Sequence, residues 1–163
     1  MKRIIVTACA GAAAAVAATL PLDAQQSPPA AATDSATPAL ANIMATIQFR
    51  HLKLAYSGKV MNWPLAGYEL DLIQQSFDAA ARLHPTVKGL SLADLVKQES
   101  APPLADLRRA IDAKSSDGFA KAFGQLTEAC NRCHRSAGVG FVVIRIPTAS
   151  PFSNQFFPPT QTR

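Results

Sequence analysis

From Phe119 to Cys133, apolar residues and cysteines recur at steps of four, three, four and three: Phe119, Phe123, Leu126, Cys130, Cys133. Only an α-helix places such positions on one side, so the stretch predicts a helix with an unbroken buried stripe that ends near Gly138. Ser115-Ser116-Asp117 supplies its cap and a favourable first-turn charge. An apolar stripe on one helix requires other helices to cover it, and the chain offers three. The first is predicted to start at Thr37-Pro38, to carry Leu40, Met44, Ile47, His51 and Leu54 on one face, and to stop at Tyr56-Ser57-Gly58. The second is capped by Asn62, has Pro64 in its first turn, buries Ala66, Leu70, Ile73, Phe77 and Ala80, and stops at His84-Pro85. The third opens on Pro102-Pro103 and buries Leu104, Leu107 and Ile111; a brief helix near Leu92–Val96 interrupts the long connection before it. Four amphipathic helices with short to moderate connections predict an all-α fold, an antiparallel up-down-up-down four-helix bundle over residues 38–138. The remainder, 139–163, begins with the β-branched run Val142-Val143-Ile144 and then becomes rich in Pro, Phe, Ser and Asn. Phe141, Phe152, Phe156 and Phe157 predict that this tail is extended and partly packed on the bundle.

A chain of 163 residues, 48% hydrophobic and rich in alanine, suits one domain of this kind. The net charge of +5 is scattered, with no Lys/Arg block to track a phosphate backbone, so nucleic acid is not an expected partner. Lys2 and Arg3, the apolar run Ile4–Leu20, Pro21 and Ala24 have the anatomy of a cleaved signal peptide over 1–24. Residues 25–37, rich in Pro, Ala, Ser and Thr, read as a flexible leader. Two rivals are weaker. A membrane anchor would need a longer apolar run. A lipoprotein box, Val6-Thr7-Ala8-Cys9, would need its apolar stretch before Cys9 rather than after it. The expectation is export to the periplasm, with no membrane span in the mature chain.

If Cys9 leaves with the signal, two cysteines remain, Cys130 and Cys133, in the run Cys130-Asn131-Arg132-Cys133-His134. This C-x-x-C-H spacing is the attachment pattern for one covalent haem c. Each thiol adds to one vinyl group. Two cysteines three apart on a helix present both sulfurs to one side, and the next residue can place its imidazole on the iron, making His134 the expected proximal ligand. A dithiol-disulfide couple would favour a βαβ setting that the chain lacks. A structural zinc would want four Cys or His ligands, and only His51 and His84, on different helices, remain.

A helical bundle whose fourth helix ends in this motif resembles cytochrome c prime and its low-spin four-helix relatives. The resemblance spans roughly Thr37 to Gly138; its specific part is Cys130–His134. It implies a haem between the helices near one end, a periplasmic location, electron transfer or small-gas binding, and a homodimer through helices one and two as an available assembly. The tail from Val139 onward departs from the family, in which the motif lies close to the C-terminus; that departure points to a distinct branch whose tail covers the haem edge or an open iron face.

In such a bundle the start of helix one lies beside the end of helix four, which makes Met44 the candidate distal ligand; the alternative is a core methionine. His51, two turns further on, lies too far along and reads as a propionate partner or a satisfied core histidine, and His84 as a surface cap. Arg132 is a candidate for contact with the haem edge. Lys121, Arg132, Arg135 and Arg145 read as solvated surface or as a basic rim that steers an acidic redox partner. Trp63 and Tyr68 read as core packing around Pro64. No catalytic constellation is visible, so the chain is not read as an enzyme. Three functions follow: a one-electron carrier serving a redox partner protein, a five-coordinate haem protein that binds a diatomic gas, and a haem subunit of a larger redox complex.

Overall fold

The computed structural model describes residues 37–159; the segments read as a signal peptide, 1–24, and as the leader up to residue 36 lie outside them. The described chain is all-α. Helix α1 spans Leu40–Lys59 and α2 Trp63–Leu83. A two-stranded hairpin, β1 Thr86–Val87 and β2 Leu90–Ser91, leads into the short α3, Leu92–Leu95. A π-helical turn, Val96–Ser100, joins α3 to α4, Ala101–Asp112, and α5 runs Ser116–Ser136. Helix α1 packs on α2 and α5, α2 on α4, and α4 on α5. Their shared core contains Leu54, Leu70, Ile73, Leu107, Phe123 and Leu126. No helix among the described residues is long and apolar enough to cross a membrane.

The cap residues act as expected. Asn62 accepts from the Leu65 N–H and Ser115 from Gly118; Ser91, not singled out in the sequence, likewise caps α3 by accepting from Asp94. Every predicted buried position of α2 is buried. Helix α1 differs at both ends. It starts at Leu40, not at Thr37-Pro38, because the Pro38 carbonyl is held by His84 Nε2 at 2.8 Å, 46 residues away, while helical bonding begins at the Ala39 carbonyl. It also continues through Gly58 to Lys59. Gly58 is there for proximity: a Cβ at this position would overlap the Phe119 ring of α5. The helix is closed instead by Met61 in the left-handed region, φ 57°, with the Asn62 N–H bonded to the Ser57 carbonyl at 2.8 Å. The π-helical turn has a local cause as well. Pro102 and Pro103 bring no N–H, and their rings crowd carbonyls one turn back; a wider turn accommodates both.

One charged pair lies between α1 and α2. Glu69, 1% exposed, receives Arg50 at 3.1 Å, with Lys53 at 4.0 Å.

The tail crosses α1. Phe152 meets Phe49 edge-on at 4.9 Å, and Phe157 is buried against Tyr56 at 5.6 Å. The Asn62 amide donates to the Phe157 carbonyl at 2.8 Å. Of the four tail phenylalanines, Phe157 is buried and Phe152 half-buried, whereas Phe141 and Phe156 stay exposed, Phe141 at 84%.

Candidate functional site

Helix α5 ends in a tight closure. Gly138, at φ 72°, lets the Val139 N–H return to the His134 carbonyl at 2.8 Å. A turn from Val139 to Val142 then sends the chain back along α5. The side chain of His134 holds the same segment: its Nδ1 lies 2.7 Å from the Val142 carbonyl. A carbonyl only accepts, so Nδ1 carries the proton, and in the neutral ring Nε2 carries the lone pair. One turn earlier, Asn131 donates to the Ile144 carbonyl at 2.9 Å and accepts from the Ile144 N–H at 2.8 Å.

Between this strap, the first turns of α1, the α3–π segment and the end of α5 lies an apolar cavity of about 410 Å³. Cys130, Cys133, His134 and Met44 all border it, as does His51 deeper along α1. The opening turns of α1 and the closing turns of α5 therefore meet at one cavity. The cysteines were expected to continue the buried stripe; both are half-buried, because they open on the cavity, and the core contact passes to Ala129.

Both thiols are free. Burial, with Cys133 close by, pushes the Cys130 thiol up to about 12. Burial and the nearby Glu99 carboxylate push Cys133 up as well, only partly offset by the Ser100 hydroxyl and Arg132. Both are protonated near neutral pH, the reverse of a low-pKa nucleophile or redox dithiol. Among the described residues no three His, Cys, Asp or Glu side chains gather as a metal-ion cage.

His51 is a satisfied core histidine. It is buried, stacked on Phe123 at 4.3 Å, and its Nε2 lies 2.9 Å from Thr127 Oγ1. Thr127 gives its own proton to the Phe123 carbonyl, so His51 Nε2–H must be the donor. Burial lowers His51 from 6.5 to about 4. His84 caps α2 away from the cavity. Arg132, expected at the haem edge, does not border the cavity: its guanidinium is exposed and paired with Glu99. Trp63 packs edge-on against Phe119, and Tyr68 is exposed; neither borders the cavity. Lys121, Arg135 and Arg145 are solvent-facing.

Sequence reasoning missed Val142 and the fully buried Ser100 in the cavity wall, and the Asn131 clamp on Ile144, another wall residue. Only the β-branched run after α5 hinted at them, by marking the tail as ordered. The chain matches no family model, no curated protein and no solved structure.

Proposed function

We propose that the chain is an exported, periplasmic monohaem c-type cytochrome that carries one electron at a time, with a fold akin to the cytochrome c prime bundle, its four long helices running up-down-up-down. One observation carries the reading: two free thiols, an imidazole with an available Nε2 and, on α1, a thioether all border a single apolar cavity. The volume lies in the range of cofactor sites, about 300–1,000 Å³. The donor set fits a haem bound through two thioethers and one imidazole.

The chain's own residues have distinct tasks. Cys130 and Cys133 tether the group. His134 would hold the iron through Nε2, with its ring fixed by the Val142 carbonyl on Nδ1. The apolar wall from α1 and α3 excludes water, which disfavours added charge at the metal and is one of the protein's levers on potential. Haem bound here supplies a reversible one-electron couple. Met44 would be the second protein donor to the iron, and a thioether there would raise the potential.

The apolar lining around Met44 also favours a second reading, an open iron face that binds NO or CO. An absorption spectrum of the purified mature protein, oxidised and reduced, separates the two. Sharp, split low-spin bands that broaden in Met44→Ala are the expected result for electron transfer. Broad high-spin bands that shift with CO would put gas binding first. Colour lost to acid-acetone extraction would overturn covalent haem altogether.

A further inference from the structure

The strap Val139–Ile144 is held to the end of α5 at two neighbouring side chains. Asn131 and His134 lie one turn apart, on the same side of the helix, about 4.5 Å along its axis. Their partners, Ile144 and Val142, are two residues apart in the strap, and each is bonded to the side chain facing it on α5. The strap thus runs back along α5, with Asn131 on Ile144 and His134 on Val142. The Asn131 side chain is buried, and both halves of its amide are committed to one residue, donor to C=O and acceptor to N–H. That two-point grip fixes Ile144 along and about the strap. Val142, two residues away, is tied on its other side only by backbone, its N–H to the Val139 carbonyl and the Val139 N–H to the His134 carbonyl, each at 2.8 Å.

We propose that Asn131 is a positioning residue of the haem site: by gripping Ile144 it seats the Val142 carbonyl on His134 Nδ1 and so commits His134 to the tautomer whose Nε2 faces the metal. The inference rests on the haem reading above. The carbonyl draws on the Nδ1 proton and makes the ring a more basic ligand, which favours the oxidised metal and lowers the potential. A neutral imidazole in water prefers its proton on the other nitrogen, so a strap that lets go leaves the ring free to turn.

The test uses the full chain expressed with haem attachment, as wild type, Asn131→Leu and Asn131→Asp. Three quantities are read: amide hydrogen exchange at Ile144, midpoint potential, and the iron–histidine vibration of the reduced protein, the last in a Met44→Ala background that removes the second protein donor to the iron. In Asn131→Leu, Ile144 exchange rises at least tenfold, the potential rises, and the vibration moves to lower frequency. Asn131→Asp keeps the acceptor for the Ile144 N–H and falls between the two, which also serves if the leucine variant does not fold. Faster Ile144 exchange with unchanged potential and vibration would reduce Asn131 to a tail anchor and overturn the proposal. Unchanged exchange would mean that the grip itself is absent. Wild-type protein without extraction-resistant haem would overturn the proposed function, whereas haem-loaded variants with wild-type vibrations would overturn only this inference.

Discussion

Acid should weaken the fold through His51, and the size of the effect follows from its surroundings. The ring is buried between α1 and α5, stacked on Phe123, with Nε2–H given to Thr127. No acidic group is among the causes of its shift; burial alone lowers it from 6.5 to about 4. Above the unfolded value both states are neutral, and His51 adds no pH dependence. Between the two values the unfolded chain takes a proton that the folded chain refuses. Stability from this residue is therefore complete above about pH 6.5 and is lost as pH falls toward about 4. At about 1.4 kcal/mol per pH unit the loss comes to roughly 3 kcal/mol. Urea unfolding near pH 7 and near pH 4, on wild type and on His51→Leu, measures it. Carboxylates titrating over the same range act in both proteins and cancel in the difference. The wild type should lose roughly 3 kcal/mol more than the variant on acidification. An equal loss in both proteins would show that His51 takes up its proton without unfolding, and the argument from burial would be refuted.

Other substitutions test the packing and the turns. Gly58→Ala would normally strengthen a helix by about 1 kcal/mol; here its Cβ meets the Phe119 ring, so a loss of about 1–3 kcal/mol is expected in denaturant titration. Met61→Gly should raise the thermal midpoint, with a gain of roughly 0.5–1 kcal/mol, because the left-handed backbone strain is relieved and the half-exposed side chain packs little. Arg50→Met leaves the buried Glu69 carboxylate with only Lys53 at 4.0 Å and should cost about 3 kcal/mol by urea unfolding, whereas Glu69→Gln should cost less.

Where helices form was legible wherever the signal was local. The period of α2 and α5, the caps at Asn62 and Ser115, and the stop at His84-Pro85 all act within a turn of themselves. The start of α1 was not legible, because it is decided by a bond from His84 to Pro38 across the fold. Gly58 misled for a related reason: a glycine that permits close approach of a distant ring looks the same in sequence as one that ends a helix. At the cavity, the motif had singled out Cys130, Cys133 and His134 and the expected meeting of helix ends Met44, and all four border it. The grip on the tail escaped notice, since Asn131 and Asn62 bind backbone atoms 13 and 95 residues away and leave no periodic trace. Arg132 was placed at the site by adjacency alone. A helix separates neighbours by about 100°, and the side chain turns to Glu99 instead.

The strap has a consequence for the order of events during synthesis. It follows α5 in the chain, and the tail beyond it is anchored where Asn62 bonds Phe157 across 95 residues. Contacts of such span form late, after the helices they bridge are in place. Until the strap returns along α5, the cavity that Cys130 and Cys133 border lacks the wall that Val139, Val142 and Ile144 supply.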